Sequence, residues 1–398
     1  MVLAALLLPV AVAVLVFAVQ RLRLPVYLAL MAVVVGYGIA ADMTFQSIGK
    51  AFGLGFVATV EQVGLLVVAG ALVGAPVIKQ PLSGAGAAVA GALAGLGGSA
   101  AGGLALLQPA GDGAPRRALG LALVLIAVHA LVAPSPLAVA AAAVLRADLK
   151  SMLAIAIPVA AIAAASGWLY LAQRMPAGDS PRGALSWAWL ALAVPVALLI
   201  VQAVAQIPSE PLGKGGAREF YTGISRPLIL AVLAIALALA LSRRWQPAVL
   251  ADTSWAPLFL AVGAAGGLAR VLDETGMAEL LAERVLDPRL GVLAPFLAAA
   301  VVKTLQGNSL SAVLTASGMV EPMLPALGLD SPAGHALAAA SVGAGSLAIC
   351  HVNDPVFWIA AHIGRLSPGR ALGLVSLGSL IMAIVAAVLL SIAKILLV

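Results

Sequence analysis

Long stretches without a single Asp, Glu, Lys or Arg alternate along the chain with short polar or Gly/Pro-rich interruptions. Residues 2–19, 24–41, 151–173, 183–209 and 371–393 are all uncharged. About twenty apolar residues in a helix cross the hydrocarbon of a bilayer. Lipid offers the backbone no hydrogen-bond partner, so segments of this kind fold as helices. A transmembrane barrel would instead show alternating strands of about ten residues, and none is visible. The pattern predicts an all-α polytopic membrane protein with about ten to twelve transmembrane helices.

Two uncharged runs have awkward lengths. Residues 82–111 and 118–145 are each too long for one untilted helix and short for two. Residues 84–103 contain eight glycines, and the second run is cut by Pro134 and Pro136 around Ser135. Glycine loosens a helix and proline removes a donor. At membrane depth such breaks survive only where protein or a polar cavity surrounds them. The second half repeats the habit. Gln306, Gly307, Asn308 and Ser309 interrupt one apolar run, and Gly343 to Ser346 precede Cys350, His351, Asn353, Asp354 and Pro355. Each half thus has a Gly/Ser-rich break followed by a break with His and Pro.

A weak internal repeat agrees. The stretch at Gly70 to Gly74 leads through a polar turn to Gly84, and the one at Gly263 to Leu268 leads to Gly276; His129 with Pro134 would match His351 with Pro355. The expected organisation is an N-terminal half, 1–205, a connecting loop, 206–227, and a C-terminal half, 228–398. The loop is the longest polar stretch, with Glu210, Lys214, Arg218, Glu219 and Arg226. Paired, interrupted segments in two halves point to the inverted repeats of transporters and to a binding site at midplane.

Composition narrows the class. With 63% apolar and 10% charged residues, the chain lacks the charge needed to cover a water-soluble particle of this size. The net charge of +6 reads as cytoplasmic loop bias. The basic residues stand in ones and twos, as at Arg116 and Arg117, Arg146 and Lys150, or Arg243 and Arg244, so nucleic acid is not an expected partner. At the N-terminus the apolar run precedes Arg21 and Arg23, the order of an uncleaved first helix with those arginines on the cytoplasmic side. A single cysteine, Cys350, allows neither a disulfide framework nor a multi-cysteine metal site within the chain. There is no HExxH, no GxSxG and no cysteine pair, so no enzyme is expected. Glycine pairs Gly91/Gly95 and Gly98/Gly102 have the spacing of close helix contact, and no Gly-Lys-Ser/Thr ending makes a phosphate loop of them.

Three stretches carry candidate chemistry. Residues 343–358 read GAGSLAICHVNDPVFW and gather Ser346, His351, Asn353 and Asp354 in apolar surroundings. Ionisable groups at membrane depth are costly and usually face a pathway or a partner. Asp354 suits a proton or cation, His351 can titrate or donate, and Asn353 suits substrate hydroxyls; equally, Asp354 ahead of Pro355 suits an N-cap. Residues 303–311 supply Gln306, Asn308, Ser309 and Ser311, uncharged groups fit for a polyhydroxylated ligand. A half-helix starting near Asn308 would aim its positive end at a carboxylate; plain helix packing is the alternative. Residues 129–136 offer His129 and Ser135, with packing again the alternative reading of the histidine.

The 343–358 stretch resembles the gluconate:proton symporter (gluconate permease) family. That family carries a Gly-Ser segment, then Ser-His-Val-Asn-Asp and a Phe-Trp pair. The matching residues here are Gly345, Ser346, His351, Val352, Asn353, Asp354, Phe357 and Trp358, with Cys350 in place of the serine. Residues 303–312 are similar to the family's Ala-Gln-Gly-Ser-Ala-Thr-Val-Ala segment, keeping Gln306, Gly307 and Ala312. Residues 129–136 are similar to its His-Ser-Phe-Ile-Pro-Pro-Thr-Pro segment, keeping His129, Pro134 and Pro136. The resemblance runs from about residue 24 to the end and is weakest over 178–254. The family's Phe-Phe-Asp segment has no match: Ala101 stands where its carboxylate falls.

The resemblance implies an inverted-repeat, ion-transporter-like fold. It also implies proton-coupled symport of gluconate-like sugar acids or other small hydroxycarboxylates across a bacterial inner membrane. Gln306, Asn308, Ser309, Ser311, Asn353, Ser346 and Ser135 would bind substrate, while Asp354, His351 and His129 would couple the proton. No cofactor and no resident metal is expected, and sodium is the alternative coupling ion. Substrate and lipid are the expected partners, with a homodimer one assembly open to the chain. A sodium-coupled carboxylate carrier, an exporter or antiporter, and a non-transporting membrane scaffold are the competing readings.

Overall fold

The structure is a computed structural model describing residues 2–77, 82–111, 114–176, 189–241, 253 and 255–398. Among these residues every regular element is helical. The predicted polar turn before Gly84, the start of the uncharged 183–209 run, and Arg243 and Arg244 fall partly or wholly outside them.

Helices α1 (Val2–Gln20) and α2 (Val26–Ala40) pack together. α3 (Phe45–Thr59) continues through a π-helical turn, Val60–Gly64, into α4 (Leu65–Val77). Then come α5 (Gly84–Gly95), α6 (Ala100–Leu106), α7 (Pro115–Leu131), α8 (Pro136–Val144) and the long α9 (Leu149–Arg174). α10 (Leu190–Ala205), α11 (Gly216–Ile224) and α12 (Pro227–Leu241) follow. The chain ends with α13 (Ala256–Asp273), α14 (Met277–Arg284), α15 (Leu293–Gln306), α16 (Ser309–Val320), α17 (Pro332–Gly345), α18 (Pro355–Ile363), α19 (Pro368–Ala371) and α20 (Leu377–Leu397).

Five stretches are long and apolar enough to cross a membrane: Phe45–Val73, Pro115–Val144, Leu149–Arg174, Ala256–Asp273 and Pro368–Leu397. A sixth is the pair α11 and α12, bent by 57°. Shorter apolar helices, among them α2, α5, α10 and α15, make up the rest. The awkward uncharged runs resolve as helix–break–helix: α5 and α6 occupy one, α7 and α8 the other.

Local chemistry sets where these helices begin. Ser99 accepts from the Gly102 amide, Ser135 from Ala138, Asn308 from Leu310 and Ser311, and Asp354 from Val356. Each is an N-cap that satisfies amides the helix leaves open. Pro136 and Pro355 occupy the first turn, where a missing N–H does no harm.

Small residues bring several helices into close contact in the interior. A Cβ on Gly91 or Gly95 would meet the carbonyls of Leu121 or Leu125, so this glycine pair lets α5 lie directly on α7. Gly343 and Gly345 seat α17 against the carbonyls of Ala130 and Phe296 in the same way. Gly98 and Gly102 do something else: they stand at the α5–α6 break, facing Gln202 and Leu66. Large apolar side chains fill the core, as with Phe357, Leu66 and Leu125, but many also point outward, as with Val14 at 52%, Leu169 at 59% and Val388 at 54% exposure. This much exposed apolar surface marks faces that lipid covers.

The polar stretch 206–227 is only partly the loop that its charges suggest. Ala217, Phe220, Tyr221 and Ile224 recur at helical spacing, and they form one face of α11. Arg218 pairs with Glu210 at 3.0 Å, and the buried Ser225 hydroxyl donates to the Leu198 carbonyl. Charge counting hid this apolar face.

Across the molecule α6 packs on α18 and α8 on α16, while α3 packs on α13 and α9 on α20. Thus the second segments of all four broken pairs meet at the centre.

Candidate functional site

Four chain breaks converge on one cleft. The starts of α6, α8, α16 and α18 line a cavity of about 640 Å³, with α3 and α13 forming the opposite wall. Below it lies a second, enclosed space of about 20 Å³, lined by His129, Lys303, Ser346, Cys350 and Asp354 among others. About 10–15 Å³ of such volume suffices for one water molecule.

The floor of the cleft is an ion pair. Lys303 Nζ lies 2.5 Å from Asp354 Oδ2, and their side chains are only 3% and 8% exposed. The ammonium also donates to the Gly307 carbonyl at 2.8 Å. The second carboxylate oxygen of Asp354 caps α18 through the Val356 amide, and the Cys350 thiol lies 3.3 Å from Oδ2. Asp354 lines both the cleft and the enclosed space, whereas Lys303 lines only the latter. Of the two charges, it is the carboxylate that borders the cleft. Deleting either partner of such a buried pair alone costs about 3–5 kcal/mol.

The segment from Ser346 to Asp354 is not helical, yet its backbone and side chains find partners. The end of α15 leaves carbonyls open. Asn353 Nδ2 donates to those of Thr304 and Leu305 at 3.2 and 3.1 Å, and His351 Nε2 lies 2.7 Å from Thr304 O. A carbonyl accepts, so His351 carries its proton on Nε2. The Cys350 amide donates to Ser379 Oγ, and the Ser376 hydroxyl donates to the Cys350 carbonyl. Two atoms remain buried without a hydrogen-bond partner: His351 Nδ1 and Asn353 Oδ1. Asn353 is 0% exposed and lines the cleft.

A chain of hydrogen bonds borders the cleft. Ser311 donates to Gln306 Oε1 at 2.7 Å, and Gln306 Nε2 donates to Glu279 at 2.8 Å. Gln306, Asn308, Ser309, Ser311 and Asn353 all line the cleft, as do Asp354 and His129. His129 is held by the Gly95 carbonyl at 3.0 Å. Three predicted residues stand apart from the cleft lining. Ser135 bonds the His129 carbonyl at 2.5 Å and caps α8; Ser346 bonds the Gly343 carbonyl and borders the enclosed space; His351 faces α15. Ala101 lies in the cleft wall, so no carboxylate stands there.

Sequence reasoning passed over Lys303, which sits inside the very stretch it quoted for its amides and hydroxyls. Its signal was a lone charge in a run otherwise apolar from residue 290. It also missed Glu279, and the wall residues Thr59, Gln62, Arg270 and Asp273. Arg270 is held by Asp273 at 2.8 Å and Glu274 at 2.6 Å.

Comparison with known proteins places the chain. A family model described as GntP family permease matches residues 116–396. The chain is 27% identical over 215 residues to the high-affinity gluconate transporter of Escherichia coli (strain K12), covering 51% of this chain and 47% of that protein. It is 27% identical over 273 residues to a gluconate permease of Pseudomonas aeruginosa, covering 61% and 59%. It is 25% identical over 269 residues to the D-serine transporter DsdX of Escherichia coli O6:H1, covering 61% and 59%. The chain spans about half to three fifths of the length of these relatives. With the family match covering well over half of the chain, this protein belongs to the GntP permease family.

Proposed function

We propose that the protein is a secondary transporter of small hydroxycarboxylates, sugar acids such as gluconate being representative, coupled to protons across a bacterial inner membrane. The observation that carries this reading is the orphan Asn353 Oδ1, fully buried in a cleft walled by broken-helix starts. A buried acceptor without a donor is costly, and a substrate hydroxyl or ammonium supplies one. The N-termini of α8, α16 and α18 line the same cleft and favour a carboxylate there. A volume of about 640 Å³ lies within the range of small-molecule sites, roughly 300–1,000 Å³. The relatives named for gluconate and for D-serine handle molecules that share a carboxylate with hydrogen-bond donors close to it.

The site lies between two proposed inverted repeats, 1–205 and 228–398. Exchanging α5–α6 with α15–α16 and α7–α8 with α17–α18 turns the α6–α18 contact into the α16–α8 contact, as a twofold relation requires. Rocking of one repeat against the other would open the cleft to alternate sides.

Thermal-shift screening of purified protein against sugar acids and short hydroxycarboxylates tests this, because a ligand of the native state raises its apparent stability. D-gluconate is expected to stabilise the protein, and Asn353→Ala to weaken its binding by at least about tenfold, the loss of one good hydrogen bond. No stabilisation by any carboxylate across pH, with and without sodium, would sink the reading. Replacing sodium by choline in proteoliposome uptake leaves a proton-coupled carrier active and silences a sodium-coupled one.

A further inference from the structure

We propose that Asp354 shields Lys303 from the cleft, and that protonation of Asp354 releases Lys303 to bind the carboxylate of the substrate. This rests on the transport reading above and specifies its coupling step. The geometry is an ammonium lining only the small space, and a carboxylate 2.5 Å from it that lines both that space and the cleft. The substrate carboxylate and Asp354 are two anions competing for one cation.

The charge count sets the order of events. Lys303 and Asp354 together are neutral. A proton on Asp354 leaves Lys303 as an unbalanced charge among buried groups, and an incoming carboxylate restores neutrality. An anion arriving without the proton would face an occupied cation and a second negative charge. Neither half-reaction is favourable alone in a medium that screens charges weakly, so one proton and one anion bind together. On release the proton leaves Asp354, which closes again on Lys303.

Surrounding groups do not substitute for this pair. Arg270, across the cleft, is already bound by Asp273 and Glu274. Glu279 reaches the site only through the Gln306 amide. His129 and His351 are tied to the Gly95 and Thr304 carbonyls, and the Cys350 thiol lies against Asp354 itself. Lys303 additionally holds the Gly307 carbonyl at the α15–α16 break. Its change of partner is thereby transmitted to the joint between two helices.

The test is calorimetric titration of D-gluconate from pH 5.5 to 8.5, with proton uptake followed in weakly buffered solution. In the wild type, binding is expected to weaken by about tenfold per pH unit on the alkaline side and to take up close to one proton per anion. Asp354→Asn keeps a hydrogen-bonding group but no charge. It should bind with the low-pH affinity of the wild type at every pH and take up no proton. Lys303→Gln/Asp354→Asn exchanges a neutral pair for a neutral pair, and a cooperative unfolding transition checks that it folds. It should bind at least about a hundredfold more weakly than Asp354→Asn. An Asp354→Asn protein that keeps the wild-type pH slope overturns the proposal, as does a double variant that binds like the single one. Wild type that binds without taking up protons overturns the coupling step alone. Wild type that binds no carboxylate at any pH overturns the transport reading together with it.

Discussion

Lys303→Met is expected to destabilise the protein by about 3–5 kcal/mol, and Lys303→Met/Asp354→Leu to be clearly more stable than that single variant. The side chains of Lys303 and Asp354 are only 3% and 8% exposed, and the apolar side chains of Ala130, Leu137, Leu347 and Val356 line the small space beside them. Removing the ammonium alone leaves a carboxylate with only the Val356 amide and the Cys350 thiol as donors. Removing both charges abolishes that penalty. Recovery is incomplete for two identifiable reasons. The Val356 amide loses its cap, a loss of about 1 kcal/mol, and the Gly307 carbonyl loses the Lys303 donor. A double-mutant cycle by denaturant unfolding in detergent should therefore show a coupling energy of about 2–3 kcal/mol. Additive effects of the two single substitutions would mean that the charges do not interact as their distance requires.

What the sequence made legible here is what short-range chemistry decides. Helices of bilayer length follow from uncharged runs, and their starts follow from Asn308, Ser135 and Asp354 placed ahead of apolar turns. The polar breaks at 306–309 and 346–354 were visible because polar side chains at membrane depth need partners. Their convergence was not visible. Lys303 and Asp354 are 51 residues apart, and no local pattern ties a lysine at one helix end to an aspartate at the start of another. The same limit applies to Ser135, Ser346 and His351. Composition makes them candidates for a ligand, but only the fold shows that backbone carbonyls lie nearer. The α11 helix was obscured differently: five charged residues between 210 and 226 outweighed an apolar face of four residues.

Gly307→Ala is the substitution that should most directly separate the architecture of the break from its chemistry. Gly307 closes α15 with φ +75, a left-handed conformation, and a Cβ there would run into the Asn353 carbonyl and side chain. Gly276 has nearly the same backbone, φ +62, with nothing within 4 Å of the added atom. Alanine at 276 therefore measures the conformational term alone, about 1–2 kcal/mol. Alanine at 307 adds the displacement of Asn353, for a total of about 2–4 kcal/mol. Asparagine tolerates the left-handed region, so Gly276→Asn should be nearly neutral while Gly307→Asn remains destabilising. The functional effect should be larger than the stability effect. Asn353 bonds both open carbonyls at the end of α15, and moving it carries the orphan acceptor away from the cleft. D-gluconate affinity should fall by at least about tenfold in Gly307→Ala and stay unchanged in Gly276→Ala. Equal effects at the two glycines, in stability and in binding, would show that the contact between Gly307 and Asn353 does not hold the two breaks together. The orphan acceptor would then owe its position to the Thr304 and Leu305 carbonyls alone.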